Sequence, residues 1–402
     1  MAEKIYLFDS EESHENLLPL SYTRPVAAFR VGILTIKEKW ERLWKEGEFS
    51  YLPVGYLQEK FGLAPEDTDE ELLFISGALL PDEELCSKIK DLNSGTALVD
   101  DDEVIAFRGS YSIFLAGGWK EKRIHHGIKK IKYVFDVFLN NHAEIRKDFA
   151  IVTAGRKSQP LPDCTRMIGS DKDENGNPTL FIEEGAEIEC ISVNLKRGPV
   201  YIGKNTVIME GACLRGPLAV CEGTKIKMGA KIYGGTTFGP YCKIGGEIDN
   251  TVVFGYSNKA HDGYLGNAVI GEWCNIGAGV NASNLKNDYS KIRVWNYRKR
   301  SFMRTDLQFC GLIMGDHSKI GINCMLNTAT VIGVGVNLHG SGFPRCFLKG
   351  FTEGSPNAGL TPVDLRKFYD IATRVMGRRG VELEDSDKRL FDAIYAGVHG
   401  AD

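Results

Sequence analysis

From Ile202 onward a bulky apolar residue returns at every sixth position, and Ile202, Ile208, Leu214, Val220, Ile226, Ile232, Phe238 and Ile244 keep that register without a slip. A helical period would rotate such residues off one face within two turns. A six-residue step of short strand plus turn instead returns the chain to the same edge of a column. Three steps close one coil of a triangular prism, with the apolar side chains stacked inside it. Four residues after each of these come Thr206, Ala212, Leu218, Thr224, Ala230, Thr236 and Cys242, small in all but one case, as a tight corner requires. The pattern returns with Tyr264, Ile270 and Ile276 and again with Ile320, Leu326, Ile332 and Leu338, so the intervening segments read as loops inserted between coils. An antiparallel sandwich alternates with period two and does not hold a fixed six-residue step. The spacing predicts a left-handed parallel β-helix over residues 180–350.

The flanks read differently. At 402 residues the chain is long enough for two or three domains. Ile5 to Phe8 and Leu72 to Ile75 read as strands, Leu34 to Lys45 and Glu83 to Leu92 as helices, and Ala97–Val99 with Val104–Phe107 as a hairpin turning on Asp100, Asp101 and Asp102. That alternation predicts a shortened, Rossmann-like α/β domain over residues 1–156. A charged, turn-rich linker follows over 157–179. After the coils, Thr361-Pro362-Val363-Asp364 reads as a helix start, with a helix from Leu365 to Arg378, a stop at Gly380 and a second helix from Asp385 to Ala396. These form a helical cap over residues 351–402. The fold class is therefore α/β plus β.

Composition narrows the partners. With 49 basic and 53 acidic residues the net charge is −4, which creates no field for nucleic acid or an anionic membrane. No apolar run approaches the roughly 20 residues of a membrane span, and the start has no basic, apolar leader. The ten cysteines form no CxxC pair and no Cys/His cluster at zinc spacing, so reduced thiols, no metal site and a cytoplasmic location are expected. The partner class that remains is a small molecule.

The segment His261-Asp262-Gly263-Tyr264-Leu265-Gly266-Asn267, followed by Ile270-Gly271-Glu272 and Asn275-Ile276-Gly277-Ala278-Gly279, resembles the bifunctional N-acetylglucosamine-1-phosphate uridyltransferase/glucosamine-1-phosphate acetyltransferase (GlmU-type) family. By motif the resemblance covers about a coil and a half, and by layout the whole chain. It implies a homotrimer, acetyl-CoA as donor, and His261 as the general base that deprotonates an acceptor amine. The imidazole is the side chain whose ordinary pKa lies nearest neutrality, and backbone amides at a coil corner would steady the oxyanion. The resemblance further implies acceptor contacts from Tyr264, Asn275 and Asn284, with Lys291 one residue out of the family's spacing. Relatives carry basic residues for the sugar phosphate one coil earlier, where this chain has Asp249-Asn250-Thr251. The insertion from Asn284 to Arg304 interleaves Lys286, Lys291, Arg293, Arg298, Lys299, Arg300 and Arg304 with Tyr289, Trp295, Tyr297 and Phe302. It reads either as a solvated hairpin or as a surface for coenzyme A phosphates.

At the N-terminus the departures are larger. Leu18-Pro19-Leu20-Ser21-Tyr22-Thr23-Arg24-Pro25 is similar to the family's segment after its phosphate loop, but the loop itself, Asp9 to Asn16, contains no glycine, and Val26 stands where the family's lysine would be. The family's metal-binding aspartate falls at Ala78, which cannot hold magnesium, and Asp82 is displaced from the motif. Arg24 and Arg30 are the remaining nucleotide-binding candidates.

The first expectation is acyl transfer, expected to be acetyl, from coenzyme A to an amino sugar phosphate or sugar nucleotide in cell-envelope biosynthesis. The second is a sugar-1-phosphate nucleotidyltransferase making a UDP- or dTDP-sugar, the one case in which Mg2+ would be required. The third is a trimeric sugar-nucleotide-binding scaffold without catalysis.

Overall fold

A computed structural model describes residues 2–66, 68–124 and 127–400. The chain divides into two compact units, one of residues 1–17, 23–29 and 34–133, the other of residues 18–22, 30–33 and 134–402.

The first unit is built on a six-stranded sheet of β1 (Glu3–Phe8), β2 (Gly47–Leu52), β3 (Leu72–Ser76), β4 (Thr96–Asp100), β5 (Glu103–Gly109) and β6 (Lys120–Arg123), in the order β2-β1-β3-β5-β4-β6. β1 runs parallel to β2 and β3, while β5 is antiparallel to β3 and β4. Every residue of β3 is buried, which is why it reads as an unbroken apolar run and not as an alternation. The expected hairpin forms, with Asp101 and Asp102 both at positive φ in its turn. The helix expected at 34–45 spans Ile36–Leu43, held by a capping box of Thr35 and Glu38. The segment 9–16, expected as a polar loop, is not one. Ser10 accepts the Ser13 N–H and starts a helix over Glu11–Asn16, because a Ser followed by two glutamates is a helix start in its own right.

The second unit contains the β-helix. Its strands form three parallel sheets, the faces of a prism, each rung bonded to the one a coil away. On the first face Leu214, Ile232, Ile248, Leu265, Ala282 and Leu326 stack inward. Ile202, Val220, Phe238, Val253, Ile270, Met314 and Ile332 stack on the second. The eight residues that set the register in sequence are all essentially inaccessible to solvent. Thr206 and Thr224 occupy the inner corner between the second and third faces, where their hydroxyls donate to the Cys221 and Gly239 carbonyls of the next coil. A small polar residue at that step thus fills the corner and closes its backbone hydrogen bonds.

Two features depart from the simple repeat. The coil from Phe238 to Val253 is shorter than its neighbours, which shifts the register, so the inward residue on the next rung is Leu265 and not Tyr264. The ladder also begins earlier than expected, since Arg166–Ile168, placed in the linker by sequence, pairs with Ser192–Asn194 as a first rung. A helix not expected from sequence, Asp136–Thr153, lies within the span given to the N-terminal domain but groups with the second unit, along the second face. Buried Asn141 ties it down, donating to the Gly235 carbonyl and the Thr237 hydroxyl and accepting the Gly32 N–H. The C-terminal helices form over Leu365–Gly377 and Asp385–His399, but the first starts later than expected: Thr361 and Pro362 belong to a strand paired with Thr352–Ser355, and Asp364 is the cap, accepting the Arg366 N–H. Among the described residues no helix is long and apolar enough to cross a membrane.

Candidate functional site

His261 lies exposed on the corner between the third face (which carries Ile208, Ile226, Ile244, Ile276 and Ile320) and the first. The shortened coil lies directly beneath it. Gly245 and Gly246 make the turn there, and a methyl group on Gly246 would come within 2.9 Å of the His261 carbonyl and 2.6 Å of the Gly263 carbonyl. The pair of glycines lets the His261 corner settle onto a truncated turn.

Beneath this corner the third face carries an unexpected residue. Where the ladder calls for an aliphatic side chain, between Ile244 and Ile276, stands Lys259, paired with Ile244 and buried. Its ammonium donates to the carbonyl oxygens of His261 and Asp262, the latter at 3.1 Å. Burial pushes the Lys259 amine down to about 8. Lys259→Met is expected to leave the melting temperature unchanged or raised, since a flexible aliphatic chain suits the stack. With His261 in the role that the resemblance implies, turnover is expected to fall about tenfold as its corner loosens. Thermal melts and kinetics on the same preparation check both halves.

Three acceptor candidates are sorted by face. The Asn284 amide donates to the Tyr264 hydroxyl at 2.9 Å and to the Asn267 side chain at 2.7 Å, so Tyr264, Asn284 and Asn267 form one cluster. Asn281 accepts the Tyr264 N–H. Asn275 belongs to another face, exposed and accepting a hydrogen bond from Asn258 at 3.4 Å. Within one chain the motif residues therefore do not converge. The corner that bears His261 also exposes Met228 and Ile322, 65% and 68% accessible, which is unusual for side chains of that size unless another surface covers them.

The rung under Tyr264 is acidic. Glu247 pairs with Tyr264 and Asp249 with Gly266. Burial first, then Asp249, pushes the Tyr264 hydroxyl up to about 12, and Asp249 is itself raised by burial and by Glu247. Carboxylates stand where the resemblance implies cations for a sugar phosphate.

Lys291 points elsewhere than sequence suggested, its ammonium donating to the Asp306 carbonyl within its own excursion. That excursion carries a hairpin of Arg293–Asn296 and Ser301–Arg304. Trp295 stacks on Phe347 at 4.1 Å and Tyr297 meets Phe347 edge-on, so these aromatics serve packing.

The nucleotide candidates in the N-terminal segment are also separated. Arg24 is buried in the first unit, whereas Arg30 belongs to the second, donating to the Ile33 carbonyl. Asp82, the displaced metal candidate, caps the helix Glu83–Lys90 by accepting the Leu85 N–H at 2.9 Å. Among the described residues no three His, Cys, Asp or Glu side chains could share a metal ion. At the position that the resemblance gives to the metal carboxylate stands Ala78, which offers no oxygen ligand from its side chain.

Sequence reasoning passed over Asp9, which follows β1. Its carboxyl accepts the Val26 N–H at 3.1 Å and faces Gly77, and burial pushes it up to about 7. A carboxyl whose folded pKa is raised above its ordinary 3.8 gives up stability as the pH climbs from about 4 to 7. Asp9→Asn is therefore expected to raise the melting temperature at pH 8 and leave it unchanged at pH 4. An equal shift at both would contradict the burial of this group.

The chain joins an α/β unit to a hexapeptide-repeat β-helix. Residues 5–157 match the sugar nucleotidyl transferase family. The chain is similar to the bifunctional protein GlmU of Trichodesmium erythraeum, 31% identical over 140 residues, covering 34% of this chain and 25% of the relative. It is likewise similar to GlmU of Thermus thermophilus, 33% identical over 131 residues, covering 26% of this chain and 28% of the relative. These matches span about a quarter of the relatives' length. Among solved structures, the UDP-N-acetylglucosamine acyltransferase of Francisella novicida is 12% identical with a TM-score of 0.30, covering 59% of this chain and 76% of that one. A score this low leaves the fold to be read from the strand ladders themselves.

Proposed function

We propose that the chain transfers an acyl group, expected to be acetyl, from coenzyme A to the amine of an amino sugar or sugar nucleotide. The reaction takes place where β-helices of a homotrimer meet. The observation that carries the reading is the sorting of motif residues between faces. Tyr264 and Asn284 cluster on one side, His261 sits on the adjoining corner, and Asn275 projects from another face. Only a second copy brings an Asn275 opposite the first chain's Tyr264, and the exposed Met228 and Ile322 supply an apolar border for that contact.

The chemistry follows from these groups. His261 takes the proton of the acceptor ammonium, the freed amine attacks the thioester carbonyl, and a C–N bond forms as the C–S bond breaks and the thiolate of coenzyme A leaves. Backbone amides of the glycine-lined corner face the developing oxyanion. Glu247 and Asp249 favour a cationic amine and disfavour a phosphate on the acceptor at this rung.

A thiol-release assay across an amino sugar, its 1-phosphate and a nucleoside diphosphate amino sugar tests the reading. Release is expected, and slower for the 1-phosphate. Absence of release with every acceptor would overturn it.

The nucleotidyltransferase reading has one observation in its favour, the family match over residues 5–157. Against it stand the helix at Glu11–Asn16 in place of a glycine-rich loop and the alanine at position 78. Pyrophosphate release from a triphosphate, magnesium and a hexose 1-phosphate would reverse that balance.

A further inference from the structure

A second feature of the β-helix lies at the corner between its second and third faces. There Tyr241, Tyr256, Trp273 and His317 occupy the same step of four successive coils, all in the left-handed region with φ between 52° and 59°. Bulky residues rarely adopt that conformation, which costs on the order of 1–3 kcal/mol each. The flanking coils use Gly223 and Gly335 at the equivalent step, both also at positive φ. The result is a continuous ladder of rings. Tyr241 stacks on Tyr256 at 5.3 Å, Tyr256 on Trp273 at 4.3 Å and Trp273 on His317 at 6.2 Å. Phe368 and Phe391 of the C-terminal helices close the ladder at His317, while Tyr241 remains exposed at the other end.

Beside the ladder, where the helix Leu365–Gly377 ends, is a cavity of about 260 Å³ lined by Tyr256, Trp273, Lys243, Lys319, Arg378 and Arg379, with Asn258 and Asn275 at its border. Four cations line it and no carboxylate does. Glu222 and Glu272 act on Tyr256 and Asp316 on Lys319, but none of the three forms part of the wall. Among the described residues neither Lys243 nor Arg378 is in an ion pair, and Arg379 donates to the Asn258 side chain. Burial, then the nearby Arg379 and Arg378, pushes the Lys243 amine below its ordinary value, and burial lowers Lys319 to about 8. The like charges crowded around Lys243 are relieved by a bound anion.

We propose that this cavity binds the diphosphate of a nucleotide, with the phosphates on Lys243, Arg378 and Arg379 and the base or sugar against the Tyr256–Tyr241 end of the ring ladder, while Lys319, whose ammonium donates to the Trp273 and His317 carbonyls, adds positive charge from the wall. The volume is just below the roughly 300–1,000 Å³ of sites that enclose a whole small molecule, so the cavity takes the anionic part and the rest of the ligand lies along the rings. Base stacking on aromatic side chains tolerates any base, so the shared chemistry is the nucleoside diphosphate, whether it comes from coenzyme A or from a nucleoside diphosphate sugar. The cavity lies within one chain at a different corner from His261, and its wall includes Asn275, the residue proposed above to face the acceptor of a neighbouring copy.

Calorimetric titration of the full chain with UDP, coenzyme A and inorganic pyrophosphate tests the assignment. At least one nucleotide is expected to bind, more tightly than pyrophosphate and less tightly as salt increases. Comparison of UDP with coenzyme A distinguishes the two sources. Lys243→Gln combined with Arg378→Gln is expected to weaken binding at least about tenfold at unchanged melting temperature, and Tyr256→Ala to weaken the nucleotide but not pyrophosphate. His261→Ala is expected to leave binding unchanged while abolishing turnover, which separates this site from the proposed reaction. Absence of binding by both nucleotides, binding indifferent to the double substitution, or binding lost with His261→Ala would overturn the assignment.

Discussion

His261→Ala is expected to lower kcat/KM for thioester cleavage by about 10²–10⁴-fold, the range that removal of a positioned general base produces. The loss should fall in kcat, because the proposed acceptor contacts of Tyr264, Asn284 and Asn275 are left in place. His261 is exposed and packs into no core, so oligomeric state and melting temperature should not change. Undiminished turnover would remove His261 from the chemistry.

The second large effect concerns stability. Phe238 is inaccessible to solvent and sits in the column between Val220 and Val253, at the start of the shortened coil. Phe238→Ala removes a ring that the rigid coils above and below cannot collapse to replace, and a loss of about 3–5 kcal/mol is expected from the transfer and cavity terms. Tyr264→Phe, at a residue that sequence had placed in the same ladder, should cost no more than about 1 kcal/mol, the worth of one hydrogen bond. Denaturant unfolding of both variants gives the comparison. A loss at Tyr264→Phe well above that of one hydrogen bond would contradict its place outside the column.

The column was readable because its interior is set by one local rule, a bulky residue every six. The rule is strict from Ile202 to Ile244, where every residue concerned is buried. It failed where the chain drops residues after Ile244. No local signal marks a deletion within a corner, so Tyr264 was read as inward and Lys259, six positions after Val253, was missed as a ladder residue. Following the step through the shortened coil would have exposed a lysine in an aliphatic stack.

The site was legible as a list of residues but not as an arrangement. Tyr264 and Asn284 meet because they lie one coil apart on the same side, whereas Asn275 is close in sequence and on another face. Sequence proximity says little about convergence in a prism, where a few residues turn the chain through a corner. The segment 9–16 was misread because the missing glycines drew attention away from the helix start at Ser10. Asp9 carried no motif, and its environment comes from Val26 and Gly77, both distant in sequence.

Subunit complementation bears most directly on the claim that acyl transfer occurs between two copies of the β-helix. Tyr264→Ala and Asn275→Ala chains, each carrying a different affinity tag, are expressed separately and together, and doubly tagged oligomers are assayed for thiol release. The account predicts little activity in either variant alone and a substantial recovery in the mixed oligomer, where one junction pairs an intact Tyr264 with an intact Asn275. Mixed oligomers as inactive as their parents would contradict it.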